Sequence, residues 1–121
     1  MATLTALEAA YLNGETRLAR LATVDADGQP HVVPVGWRYD EATGTFTISG
    51  RDLAATRKFR NVLVHPRAAL VVDDVLPPWR ARGVLVQGPA QALPADDEPE
   101  GRAVIRLTPT KVTSWGLDGS R

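Results

Sequence analysis

From Ser49 the chain reads Ser-Gly-Arg-Asp-Leu-Ala-Ala-Thr-Arg-Lys-Phe-Arg. The segment leaves a strand-like run, crosses Gly50 and enters a helical period. The first turns of that period carry Thr56, Arg57, Lys58 and Arg60. A helix N-terminus offers unpaired N–H groups and a partial positive charge. A hydroxyl and several cations added there suit a phosphate. Arg57 and Arg60 lie about one turn apart and can converge on one anion. A solvated basic helix face has the same composition, so these residues alone leave both readings open.

Other chemistries have less support. His65 precedes Pro66 at a helix end, where it caps more often than it catalyses, and His31 opens a strand. Adjacent strand residues point to opposite faces, so Asp73 and Asp74 cannot form a carboxylate pair and read as a strand end meeting solvent. No G-x-S-x-G elbow, P-loop, G-x-G-x-x-G or zinc-ligand spacing occurs. Trp37, Trp79 and Trp115 each sit beside a glycine, proline or arginine near an element's end. They suit either a core or the flat wall of a ligand pocket.

These residues must be positioned by a small chain. At 121 residues, one domain spanning 1–121 is expected. Apolar residues make up 44% and charged residues 23%, which excludes a disordered or collagen-like chain. Lys+Arg and Asp+Glu are both 14, and this balance disfavours nucleic acid as a partner. The absence of cysteine excludes disulfides, thiolate metal sites and cysteine nucleophiles. No apolar run approaches the roughly 20 residues that span a bilayer. The acidic opening MATLTALEAAYLNGE lacks a basic region before an apolar run, so a cytoplasmic protein without a signal peptide is expected. A domain of this size buries about two thirds of its surface, and dimerisation would supply a missing wall for a large ligand.

The pattern predicts mostly strands. Residues 3–12 read as a short helix, capped by Thr5 with Glu8 completing a capping box and ended by Asn13-Gly14. Its apolar stripe is Leu4, Leu7, Tyr11 and Leu12. Residues 17–24 and 31–37 flank an Asp-Ala-Asp-Gly turn and form a hairpin, with Pro34 interrupting the second strand. A second turn at 39–44 leads to a strand at 45–49, so the first half is a β-meander. Residues 53–64 read as one helix with Asp52 as N-cap. Ala55, Phe59, Val62 and Leu63 lie on one face, and His65-Pro66 ends it. Strands follow at 68–74 and 83–93, joined by a segment that Pro77-Pro78 keeps from being a strand. An acidic loop at 94–102 precedes two short strands broken at Thr108-Pro109, and the last residues form a loose tail. Six or seven strands with one or two helices in so short a chain favour a small closed barrel, because closure removes unpaired edges.

Taken together, RLARLATVDADGQPHVVPVGWRYD resembles the opening of the flavin/deazaflavin split-barrel proteins related to pyridoxamine 5′-phosphate oxidase. TISGRDLAATRKFRNVLVHPRAALVVDD resembles their continuation. PWRARGVLVQGPAQAL and IRLTPTKVTSWGLD resemble their later strands and closing tryptophan. The likeness runs from about residue 15 to 118. Each motif alone is degenerate, while their order and spacing are fairly specific. The V-P-V-G-W-R-Y-D and S-W-G-L-D segments are most similar to the compact actinobacterial type described as using the deazaflavin coenzyme F420.

The resemblance implies a mainly β fold, a split β-barrel homodimer with two cofactor sites at the subunit interface. It assigns Thr56, Arg57 and Lys58 to the cofactor phosphate, with Arg60 beside them. Ser49, Gly50 and Arg51 would lie along the ribityl-phosphate chain. Val33, Pro34, Val35 and Gly36 would face the ring system. Trp115 would be offered by the partner chain, and Arg80 and Arg82 would reach across from a loop. The chain lacks the C-terminal extension that grips pyridoxal phosphate substrates, so oxidase activity of that kind is not expected. The short 93–102 region leaves little protein for a substrate lid.

The implied chemistry is hydride transfer from reduced F420 to an electron-poor double bond of a small molecule, with no side chain acting as catalytic acid. FMN chemistry on the same fold is the alternative, and a cofactor carrier without turnover is a third. An oligonucleotide-binding barrel is opposed by the balanced charge and the few aromatics. F420 adds a lactyl-oligoglutamate tail to its phosphate and wants a longer basic track than FMN. Arg51, Arg57, Lys58, Arg60, Arg80 and Arg82 would supply it.

Overall fold

A computed structural model describes residues 1–118. The end of the predicted tail, 119–121, lies outside the described residues. Helix α1 (Ala6–Asn13) begins at a complete capping box: Glu8 N–H donates to Thr5 Oγ1, and Thr5 N–H donates to the Glu8 carboxylate. Strands β1 (Ala19–Val24), β2 (Pro30–Asp40) and β3 (Thr45–Ser49) form the predicted meander. Between β1 and β2 the Asp25 carboxylate accepts the N–H groups of Asp27 and Gln29, both at 2.9 Å. Gly28 takes the positive φ, 84°, that the turn requires. Helix α2 (Arg57–Val64) and strands β4 (Arg67–Leu76), β5 (Arg80–Leu93), β6 (Val104–Leu107) and β7 (Lys111–Trp115) complete the described chain.

The strands run β4-β1-β2-β3-β6-β5, and β5 pairs back with β4 to close a six-stranded barrel; β7 adds to β5. Two strands serve both halves. β2 pairs with β1 up to Val35 and with β3 from Gly36 onward. β5 pairs with β4 and β7 along its first part and with β6 from Ala90. The wall therefore splits where β2 and β5 change partners. Leu21, Phe46, Ile48, Leu70, Ile105 and Leu107 fill the interior and are fully buried. Removing such side chains from water is the main term holding the barrel closed.

Three local expectations change. The stretch 53–64 is not one helix: a 3-10 turn (Leu53–Ala55) precedes a break at Thr56, and α2 starts at Arg57. Thr56, not Asp52, is the N-cap; its Oγ1 donates to the Leu53 carbonyl at 2.6 Å and accepts Phe59 N–H at 3.4 Å. Asp52 adopts a left-handed conformation (φ 49°) and its side chain caps nothing. The break puts Ala55 out of helical phase and leaves it exposed; within α2, Phe59 and Val62 are buried and Leu63 is exposed. In α1, Leu7 faces solvent and Glu8 is buried instead, because Ser114 Oγ donates to its second oxygen at 2.6 Å. Finally, β4 and β5 reach past the expected ends and pair to Leu76↔Arg80. Pro77 and Pro78 sit at the hairpin tip, outside the ladder, where a missing N–H costs nothing.

Candidate functional site

The end of β3 and the 3-10 turn form one wall of a groove of about 790 Å3, lined there by Ser49 to Ala55. Ala95 and Gly101 to Ala103 form the other wall. This second wall is the short acidic segment expected to contribute little. Two ion pairs hold it: Glu98 with Arg106 at 2.8 Å and Glu100 with Arg38 at 3.5 Å. The segment's glutamates are thereby consumed. Among the described residues Arg102 and Arg51 make no ion pair; they line the groove with one carboxylate, Asp52. Arg102 had no sequence signal, since its meeting with Arg51 depends on β6 pairing beside β3.

The helix start continues this wall. Thr56 spends its hydroxyl proton on Leu53, so that oxygen is a cap before it is a ligand. Arg60 Nη1 donates to the Ala55 carbonyl at 3.0 Å. Lys58 is half-buried and makes no ion pair among the described residues. Asp25's carboxyl lies below its usual range, held first by Gln29 N–H and helped by the charge of Arg57. A buried bond from Asn61 Nδ2 to Thr23 Oγ1, 3.0 Å, fixes α2 against β1.

Gly36 pairs with Ser49 across β2 and β3. Gly36 also lines a second groove of about 530 Å3, between Thr16–Leu18 and Pro34–Trp37. One member of the Gly36–Ser49 pair thus lines each groove, and Pro34 and Val35 lie with Gly36 in the second. Val33 does not line this groove; it packs against the core opposite Leu21. Trp37 is a structural wall: its Nε1–H donates to the Arg17 carbonyl at 2.8 Å and its ring packs 6.3 Å from Phe46.

The remaining predicted residues lie elsewhere. Arg80 sits at the exposed β4–β5 tip, next to Trp79. Arg82 donates through Nε and Nη2 to the two oxygens of Asp74 at 2.8 and 2.9 Å. Tyr11 O–H donates to the same carboxylate at 2.7 Å, and Arg17 Nε approaches it to 3.7 Å. The Arg82 bond above all holds Asp74's carboxyl down at about 2, while burial and the Asp74 bond push the Tyr11 phenol up. Asp73 points the other way, to Arg20 at 3.1 Å. The aspartates do diverge, but Asp74 anchors a network rather than meeting solvent. Sequence reasoning missed this network because Tyr11 and Arg17 come from the far end of the chain. Trp115 packs over Gly83, where a Cβ would fall 2.7 Å from its ring. It lines neither groove within its own chain. Neither histidine lines them, and among the described residues no metal-binding cluster exists.

A family model described as pyridoxamine 5′-phosphate oxidase matches residues 5–116. The chain belongs to this family. A relative, the 5a,11a-dehydrotetracycline/5a,11a-dehydrooxytetracycline reductase of Streptomyces rimosus, is 43% identical over 118 residues, spanning 93% of this chain and 82% of the relative. Three solved structures share the family's fold. A conserved hypothetical protein of Mycobacterium tuberculosis has a TM-score of 0.76 at 20% identity, covering 98% of this chain and 90% of its own. An FAD-binding protein of Mesorhizobium loti has 0.68 at 24%, covering 92% and 94%. An F420 reductase has 0.66 at 20%, covering 86% and 94%. Among the described residues no helix is long and apolar enough to cross a membrane.

Proposed function

We infer that this protein is an oxidoreductase that uses F420 to reduce an electron-poor carbon–carbon double bond in a small organic acceptor. The observation that carries the reading is the 43% identity to a reductase whose substrates are dehydro compounds. The choice of F420 is supported by the charge layout. Among the described residues Arg51 and Arg102 make no ion pair and line the groove together with one carboxylate, Asp52, while Arg57 and Lys58 begin the adjoining helix. Leu53, Ala54, Ala55, Ala95 and Ala103 make the walls between apolar. Such a donor set fits an elongated anion better than a single terminal phosphate.

Within this reading Arg57, Lys58 and the first N–H groups of α2 hold the phosphate. Arg51 and Arg102 hold the carboxylates of the tail, and Arg82, spent on Asp74, does not contribute. Gly36, without a side chain, leaves the strand backbone open to a flat ring. Bound F420 supplies the hydride chemistry; the chain orients it and shapes the acceptor pocket. The test is a titration of F420 and FMN at low and high salt, followed by mixing reduced F420 with a 5a,11a-dehydrotetracycline. F420 is expected to bind more tightly, to lose affinity more steeply with salt, and to be oxidised by the acceptor, since exposed ion pairs are screened over about 8 Å at physiological ionic strength. Tighter FMN binding with a shallow salt dependence would promote the flavin reading.

The same reading includes a homodimer. Ala22, Val24, Val32, Pro34, Val71 and Leu85 share the outer face of the sheet, as the β1–β2, β1–β4 and β4–β5 registers require. Val32 is 59% exposed at its middle, and Trp115 borders it. Arg20 interrupts this face between Pro34 and Val71 and is paired with Asp73 at 3.1 Å, and monomers seldom leave the apolar remainder of such a sheet face in water. Sedimentation at micromolar concentration should show a dimer, and Val32→Glu should shift it to the 13.0 kDa species. A wild-type monomer at that concentration would remove the shared-site proposal.

A further inference from the structure

The groove between Thr16–Leu18 and Pro34–Trp37 has an origin of its own. The β1–β2 ladder stops at Ala19↔Val35, whereas β2 continues to Asp40 paired with β3 alone. Residues 16–18 therefore splay away from β2 and leave a trough, tied at one point by the Trp37–Arg17 bond. Two adjacent residues give this trough opposite properties. Leu18 stands at its mouth, 55% exposed. Arg17 lies behind it, its side chain only 8% exposed and its guanidinium 3.8 Å over the Tyr11 ring. Asp74 serves both Arg17 and Arg82. Asp74 and the charge of Glu15 balance the two cations, and Arg17 is the member that lines the trough, its buried Nε making no hydrogen bond among the described residues. The cluster of Tyr11, Arg17, Asp74 and Arg82 is rigid, because every member is bonded or stacked.

Resting on the reductase reading, we propose that this trough is the acceptor subsite, built for a flat, largely apolar molecule with a conjugated carbonyl. Leu18 and Pro34 provide the apolar platform. The trough adjoins the Gly36–Ser49 pair, so a molecule lying on it abuts whatever occupies the first groove. Arg17, the cation that lines the trough, meets the charge that the acceptor develops. When the β-carbon of a conjugated carbonyl accepts a hydride, the carbon–carbon π pair shifts toward the carbonyl and leaves an enolate. A solvent proton on the α-carbon then completes the saturated product. The acceptor gains one hydride and one proton, and the reduced deazaflavin gives up that hydride and releases a proton to solvent. A fixed cation field stabilises the enolate more than the neutral ketone, which is the condition for lowering the barrier.

The test uses Leu18→Ser, an exposed position whose change leaves the core intact. Tetracycline serves as a non-reacting probe, read by its fluorescence, and a 5a,11a-dehydrotetracycline and 2-cyclohexen-1-one serve as large and small acceptors. Loss of one apolar contact from a pocket is expected to weaken tetracycline binding and raise KM for the tetracyclic acceptor, each by about tenfold. KM for cyclohexenone, which covers less of the platform, should rise less, and F420 affinity should stay at its wild-type value. Tetracycline binding that depends on Leu18 in a protein unable to reduce either acceptor would keep the subsite and end the reductase reading. Three results would overturn the subsite. One is tetracycline affinity unchanged by Leu18→Ser, or absent in wild type. Another is an equal loss of F420 affinity, which would put Leu18 in the cofactor pocket. The third is conversion of a dimer to a monomer by Leu18→Ser, which would make a second copy the occupant.

Discussion

Replacing Gly88 by alanine should abolish folding at ordinary temperatures. A Cβ at this position would fall 2.1 Å from the Thr108 carbonyl oxygen and 3.0 Å from Thr110 N. Both are backbone atoms of the β6–β7 connection, which crosses directly over β5. That connection cannot step aside, because Thr108 N–H bonds to the Pro89 carbonyl at 2.9 Å and Thr110 N–H bonds to the Gln87 carbonyl at 2.8 Å. The bonds flank Gly88 on both sides. Relief of the clash therefore breaks them and misaligns β6 or β7. The cost should exceed about 4 kcal/mol, a large share of the roughly 5–15 kcal/mol that holds a domain folded. Thermal denaturation followed by circular dichroism measures it. Gly36→Ala is the control, since the nearest atom there is 3.9 Å away, and its melting temperature should match wild type. A Gly88→Ala protein that melted beside the control would mean that the crossing is looser than the contacts indicate.

Lys58→Ala and Arg57→Ala should each weaken cofactor binding by about ten- to a hundredfold, the worth of one charge-assisted phosphate contact of roughly 1.5–3 kcal/mol. Among the described residues neither side chain makes an ion pair, and Arg57 acts through the field felt by exposed Asp25. Melting temperatures should stay at the wild-type value. Thr56→Ala separates the two roles of this segment. Its hydroxyl caps α2, so its loss should cost about 1 kcal/mol of stability whether or not ligand is present. Fluorescence titration of F420 against the three variants checks the assignment. Undiminished affinity in both Arg57→Ala and Lys58→Ala would move the phosphate away from this helix.

Features settled between neighbouring residues were legible before the fold was known. The Thr5–Glu8 capping box, the Asp25–Gly28 turn and the break at Thr108-Pro109 all act over four residues or fewer, and each stands in the structure as read. The alternation of apolar and polar residues set the meander for the same reason, since strand faces alternate wherever the strand lies. The order of the motifs along the chain pointed to the family. Even at short range a rule could be outbid: Thr56 took the cap from Asp52 because its hydroxyl could bond Leu53 behind it and Phe59 ahead.

Tertiary structure alone decided which distant residues meet. Closure of β5 on β4, and the change of partner along β2 and β5, depend on hydrogen bonds between segments far apart in the chain. Those pairings bring Arg102 to the groove that Arg51 lines, and carry Tyr11 and Arg17 to Asp74. They also withdraw Arg82 from the anticipated basic track, because a bidentate carboxylate lies opposite it across the hairpin. A side chain's type states which bonds it can make. Which of them it does make is settled only when the closed barrel fixes its neighbours and excludes the water that would otherwise take their place.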